Sequence, residues 1–338
     1  SSSSDNNIIS SNVITDGYGG GISINDSSNN LICANSIRDN PHYGGGIFIS
    51  AGAGNLICNN RLDNNGSEGS IWLMGSNNNI ISGNIVSNSA IRGIYIYRGA
   101  NNLISNNTVQ DTKDTTGSLG IWITANARNV SISNNLILNN AGRCIVVDSY
   151  TYNHTIIGNM IIDNGGTTTS QDAIYLGGGG HFIAGNYIYD SLPSPPSGTG
   201  YGINIPALWE EVAPYYLAGN YIGGPAFSAK INDADNDANP KNTKYTGKEK
   251  ITLERATDTT SASIDSNQSF VKLGFTSGSP TIDNGKSAGD ILIIQGPDTG
   301  TITPTVTNLK LCTDALHGTH SLAANDTLVL IWNATANA

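Results

Sequence analysis

One feature limits what this chain can fold into more than any other. An apolar residue followed three positions later by Asn recurs along the first two-thirds of the sequence. The pairs are Ile9/Asn12, Ile32/Asn35, Ile57/Asn60, Ile81/Asn84, Ile104/Asn107, Ile132/Asn135, Ile156/Asn159, Ile183/Asn186 and Leu217/Asn220. Their spacing begins at roughly 23–25 residues and widens later through insertions, a period that marks stacked-repeat architectures.

Each repeat holds three short apolar bursts. Residues 79–97 show them: Asn79-Ile80-Ile81, then Asn84-Ile85-Val86, then Gly93-Ile94-Tyr95-Ile96-Tyr97. Short runs rich in β-branched side chains, separated by Asn, Gly and Ser, read as strands joined by turns. No stretch carries the 3.6-residue apolar period of a long amphipathic helix. Three strands per repeat make a coil, and stacked coils make three parallel sheets, so residues 1–227 are expected to form about nine coils of an all-β solenoid. The recurring Asn has two expected uses: it tolerates left-handed backbone at sharp turns, and its amide can bond the matching Asn one rung away.

The run Asn-Asn-Ile-Ile-Ser-Gly-Asn-Ile-Val at 78–86, with its copies over about residues 5–227, resembles the pectin-lyase-like right-handed parallel β-helix superfamily. That superfamily includes periplasmic copper-site maturation proteins and bacteriophage tailspikes. The resemblance implies the fold. It leaves function open, since the scaffold hosts hydrolases, lyases, epimerases and adhesins.

Composition narrows the field further. Charged residues are 12% of the 338 and hydrophobic ones 38%, which is not the profile of a disordered chain. A net charge of −10 argues against a nucleic-acid partner. No run of apolar residues is long enough to insert in a membrane. Residues 1–7 show no signal peptide, and the chain opens almost inside a repeat, as a fragment with a missing upstream part would. Four cysteines (Cys33, Cys58, Cys144, Cys312) are too scattered for a disulfide framework, and Cys33 and Cys58 read as small residues stacked in the wall.

Insertions cluster at the corner between the second and third bursts: Pro41–Gly44, Asn64–Glu68, Asp111–Thr116, Gly165–Gln171 and Ser191–Gly200. Such loops would overhang the third sheet, and functional residues favour loops on a rigid scaffold. In that sheet the inward row is Ile22, Ile47, Ile71, Ile94, Ile121, Ile145, Ile174 and Ile203. Side chains alternate along a strand, so the next residues face out: Ser23, Phe48, Trp72, Tyr95, Trp122, Val146, Tyr175 and Asn204. An outward aromatic row suits sugar rings, whose apolar faces stack on aromatics. The alternative is a ladder that stiffens the sheet or is covered by loops or another subunit.

Acids are few on this face. Asp148 falls at the second outward position, level with Tyr97 and Thr124; Asp172 lies beside Arg143 of the preceding coil, and Glu68 approaches Arg92 of the next. These three carboxylates are the candidates for glycosidic hydrolysis, although Asp148 and Asp172 sit at opposite ends of their strands. Arg92, Arg98 and Arg143, with Tyr97 and Tyr175, would suit an acidic polymer in the lyase or epimerase alternative. His42, His154 and His181 read as turn or surface residues. Asp233, Asp235 and Asp237 alternate as in calcium loops but lack the glycine and terminal glutamate, so an acidic linker is preferred and no cofactor is required. Gly177–Gly180 lacks the Lys-Ser/Thr of a phosphate loop and reads as a turn.

After Gly224-Pro225 the repeat is expected to stop, with a polar linker or cap over 228–250 and a small antiparallel β domain over 251–338. Strand-like bursts occur at 251–253, 270–273, 291–294, 309–311 and 328–332. The segments at 289–294 and 325–333 resemble terminal modules of phage tail fibres and tailspikes, which implies a homotrimer located in a virion tail. The resulting reading is a tailspike-like protein that binds and cleaves a bacterial surface polysaccharide by hydrolysis. A polysaccharide lyase and a non-catalytic adhesin or fibre segment are the alternatives.

Overall fold

The three bursts of each repeat form three parallel sheets in a computed structural model, which describes residues 4–40, 44–66, 68–113, 117–163, 171–191, 200–206, 215–224 and 227, and the strands beyond. The first sheet has ten strands and the second and third have nine each. Every strand pairs with its counterpart one coil away, as in Ile80↔Leu103, Ile85↔Thr108 and Tyr95↔Trp122. A sheet built this way from three- to six-residue strands has no hairpins; the chain simply winds.

The middle residue of each short strand points inward. Ile32, Ile57, Ile81, Ile104, Ile132 and Ile156 stack in the first sheet, with Ile37, Leu62, Val86, Val109 and Ile137 facing them from the second. All are essentially inaccessible. Each stacked Ile is worth about 2–5 kcal/mol against truncation to Ala. Glycine stands beside the first inward Ile of the third-sheet strands because space runs out where that sheet meets the second: a Cβ on Gly93 would lie 2.4 Å from Val109 Cγ1.

The recurring Asn forms a continuous ladder from Asn12 to Asn220, buried from Asn35 onward. In each step the Oδ1 accepts both the backbone N–H and the Nδ2 of the preceding coil's Asn, as from Asn107 to Asn135 at 2.9 and 3.0 Å. The Nδ2 also donates back to a first-sheet carbonyl, as from Asn135 to Ile104 at 3.0 Å. These amides are nearly inaccessible, yet every donor and acceptor has a partner. The left-handed residue is not the ladder Asn itself but the one before it. Ala34, Asn59, Gly83, Asn106, Asn134 and Gly158 all take positive φ there, which is why that position accepts Asn and Gly.

A second ladder runs through Asn30, Asn55, Asn79 and Asn102. It then changes chemistry. Val130 takes the next place, and its N–H donates to His154 Nδ1 at 3.0 Å, while the His154 N–H donates to His181 Nδ1 at 3.1 Å. Far from lying at the surface, both imidazoles are fully buried and stack with centroids 5.0 Å apart. His42 lies outside the described residues.

The solenoid runs past Gly224-Pro225. Within the stretch expected as a linker, Ala229–Asp233 joins the third sheet beside Tyr201–Ile205, and Thr243–Tyr245 joins the first. The missed signal is Ile231-Asn232, which repeats Ile203-Asn204 in register and continues its amide bonding at 2.9 Å. Asp233 therefore sits in a strand, while Asp235 and Asp237 lie outside the described residues. The chain divides into two units, Ser1–Lys250 and Ile251–Ala338. In the second unit, Ile291–Gln295 pairs parallel with Phe270–Lys272 and antiparallel with Thr327–Ile331. The bursts at 251–253 and 309–311 lie outside the described residues.

Candidate functional site

The third sheet carries the outward row in the expected register: Phe48↔Trp72, Trp72↔Tyr95, Tyr95↔Trp122, Trp122↔Val146 and Val146↔Tyr175. The rings do not lie flat as a platform. Tyr95 stacks on Trp122 with centroids 4.7 Å apart and planes 9° apart, and on Trp72 at 5.8 Å and 11°. Phe48 tilts against Trp72 at 4.5 Å. In-register rings on adjacent rungs meet face to face, because the rung spacing is close to the thickness of a stacked pair. Their faces are therefore spent on one another.

Burial follows. Trp72 and Tyr95 are only 5% and 6% exposed, and burial pushes the Tyr95 phenol up to about 12. The Arg92 guanidinium lies over Tyr95 and Trp122, 4.9 and 4.3 Å from their centroids, and pairs with Glu68 at 2.8 Å. The middle of the row is thus a covered, stiffening ladder. Phe48, Trp122 and Tyr175 stay partly accessible at its ends.

At the strand starts, Arg143 lies over Tyr175 at 4.4 Å and pairs with Asp172 at 3.2 Å. Asp172 is 3% exposed, and burial pushes its carboxyl up against the lowering pull of its partners. Its Oδ1 accepts the Tyr201 N–H at 3.1 Å and its Oδ2 the Asn204 amide at 2.9 Å. Every oxygen is occupied by groups that fix the next coil, so Asp172 holds strands together. Glu68 is likewise committed to Arg92, whose Nη1 also bonds the Glu68 carbonyl at 3.1 Å.

Asp148 differs. It is partly accessible at the strand ends, and its Oδ2 accepts from Trp122 Nε1 at 3.0 Å and Thr124 Oγ1 at 2.9 Å. Among the described residues its Oδ1 accepts no hydrogen bond. Nearby on the same edge lies Tyr97, in register with Thr124 and edge-on to Tyr95 at 6.1 Å, with Arg98 over its ring at 5.1 Å. An indole edge, a phenol and an open carboxylate oxygen together offer the mixed apolar and polar surface that carbohydrate hydroxyls can use.

The three carboxylates do not converge. Asp148 and Asp172 lie five residues and one rung apart, about 17 Å by strand geometry. Glu68 and Asp148 lie six residues and three rungs apart, about 25 Å on the same reckoning. Paired-carboxylate hydrolysis needs separations of about 5–9.5 Å. Among the described residues no group of three His, Cys, Asp or Glu side chains could hold a metal ion.

Family comparison agrees with the parallel winding of the three sheets. The description "Right handed beta helix region" matches residues 1–129 and 67–191, together more than half of the chain. The chain belongs to the right-handed β-helix family. Among solved structures, this β-helix is similar to an alginate lyase from Paenibacillus sp. str. FPU-7, with 17% identity and a TM-score of 0.51 over 65% of this chain and 79% of that one. It is also similar to the tailspike protein of E. coli bacteriophage HK620 in complex with a pentasaccharide, with 12% identity and a TM-score of 0.51 over 98% of this chain and 72% of that one. No curated protein matches. At these identities the likeness is one of fold.

Arg128 and Tyr152 escaped sequence reasoning. They bridge in parallel at the corner after the third sheet, with Arg128 over the Tyr152 ring at 5.7 Å. The signal was available in the repeat register, since Ala100, Arg128, Tyr152 and Gly179 occupy one row.

Proposed function

We propose that this β-helix binds a bacterial surface polysaccharide along the edge of its third sheet formed by Tyr97, Trp122 and Asp148. The observation that carries the reading is the Asp148 carboxylate: one oxygen is locked by Trp122 and Thr124, and the other is open beside partly accessible rings. A carboxylate so oriented accepts sugar hydroxyls without reorganising, while the indole edge supplies apolar contact. The solved β-helices of similar fold include one in complex with a pentasaccharide and one named as a lyase of alginate, which is consistent with a carbohydrate partner. Surface plasmon resonance on immobilised capsule and lipopolysaccharide polymers tests the reading. Retention that falls in Asp148→Ala supports it, and equal retention by the variant overturns it.

Hydrolysis is the second reading, favoured by that same open oxygen. It requires a partner acid from outside the described residues of one chain. A homotrimer, as in a tailspike of a virion, would supply one from a neighbouring subunit. Self-association is supported by the outer face of the second sheet, where Leu136, Leu138, Met160, Ile162, Tyr187 and Tyr189 follow a mostly polar set in earlier coils that includes Ser36, Arg38, Arg61, Asp63 and Gln110. Met160 and Tyr187 are exposed there. Light scattering decides the assembly. Digestion of the same polymers decides the chemistry: new reducing ends mark hydrolysis, unsaturated sugar marks elimination, and neither mark supports a non-catalytic adhesin.

A further inference from the structure

We infer that the corner following the third sheet is a carboxylate-binding subsite, built from Arg98 and Arg128, and that the polysaccharide bound beside it is acidic. The inference rests on the saccharide reading above and adds the charge class of the ligand.

Both guanidiniums are exposed, and each lies over a tyrosine ring: Arg98 over Tyr97 at 5.1 Å and Arg128 over Tyr152 at 5.7 Å. A guanidinium laid on an aromatic face is held in place while its N–H edge stays free for a planar anion. Two other aromatic-backed arginines among the described residues, Arg92 and Arg143, are each neutralised by a carboxylate. Arg98 and Arg128 have no ion-pair or side-chain hydrogen-bond partner among the described residues.

Position adds to the argument. Arg98 follows the strand Arg92–Tyr97, and its N–H donates to the Thr124 carbonyl at 3.3 Å. Arg128 pairs with Ala100, two residues beyond Arg98 and one rung up, so the two backbones are about 8 Å apart by strand geometry. Two long side chains from that spacing can reach one carboxylate or neighbouring ones along a polymer. Asp148, near Thr124 on the same edge, contributes a negative charge but directs its Oδ2 at Trp122 and Thr124. The corner keeps a net positive charge, with an acceptor for hydroxyls at one side and donors for carboxylate at the other.

The test uses the full chain on an immobilised panel of bacterial capsule and O-chain polymers, each uronic-acid polymer beside its carboxyl-reduced form. Wild type is expected to hold an acidic polymer about tenfold more tightly than its reduced form, with the difference shrinking as salt rises. The double variant Arg98→Gln/Arg128→Gln should lose that preference and keep the residual binding of the reduced polymer. Arg38→Gln/Arg61→Gln, which removes the same charge from exposed positions on the second sheet, should keep it. Binding with no preference for the acidic form, or a preference that survives in Arg98→Gln/Arg128→Gln, overturns the charge inference alone. Binding to no polymer overturns the saccharide reading and this inference with it.

Discussion

The Trp122 indole N–H donates to Asp148 Oδ2 at 3.0 Å, joining the aromatic row of one coil to the acid of the next. That bond fixes the carboxylate's plane and leaves its other oxygen turned away. Asp148→Ala is therefore expected to lower polysaccharide affinity about tenfold, while the orphaned indole donor costs the fold only about 1 kcal/mol. Calorimetric titration paired with a thermal melt separates the two. A large drop in melting temperature with unchanged affinity would make Asp148 a structural residue.

The Asn ladder gives a sharper stability prediction. In Asn135→Ala, the Asn107 amide and backbone N–H lose their acceptor, and the Ile104 carbonyl loses a donor. All are buried, so the cost is about 3 kcal/mol. Arg38→Ala, at an exposed strand position of the second sheet, should cost well under 1 kcal/mol. Urea unfolding of both variants checks the contrast, and similar midpoints would refute the ladder's role.

Acid sensitivity follows from the two buried imidazoles. Each Nδ1 accepts a backbone N–H, so each ring must be neutral, and desolvation pushes His154 well down and His181 down to about 4. Among the described residues, the titratable groups facing the stack are the rings themselves and Tyr215, whose ring lies 5.5 Å from His181. In the unfolded chain both histidines protonate near pH 6.5. Stability is then full above that pH and falls as pH drops towards 4, by about 1.4 kcal/mol per unit for each histidine. Replacing both by Asn, the residue used earlier in this ladder, should flatten the loss between pH 6.5 and 4. An unchanged acid limb would contradict the assignment.

Much of this architecture is legible in the sequence because the period is short and the register strict. A buried Ile every coil fixes which neighbour faces out, and that arithmetic places Trp72 beside Tyr95, Arg92 beside Glu68 and Arg143 beside Asp172. What the repeat does not encode is side-chain direction. Alternation says that Trp72 and Tyr95 point outward, but only the rung spacing and the reach of Arg92 decide that their rings stack and bury. His154 and His181 were misread for a related reason: an imidazole can replace an Asn acceptor, so a break in the motif need not be a break in the ladder. Ile231-Asn232 was passed over because the surrounding Lys, Asn and Asp hide a single inward residue.

The most direct test compares two tryptophans, each one coil from Tyr95 and on opposite sides of it. Trp72 is covered within the stack, and Trp122 is partly accessible and bonded to Asp148. Trp72→Ala should cost about 3–5 kcal/mol of stability while leaving the folded protein's polysaccharide affinity within about twofold. Trp122→Ala should weaken that affinity about tenfold or more. Affinity measured by titration on the folded fraction of each variant decides the matter. A loss confined to Trp122→Ala is the predicted result, and equal affinity in Trp122→Ala and wild type would contradict a saccharide site on this face.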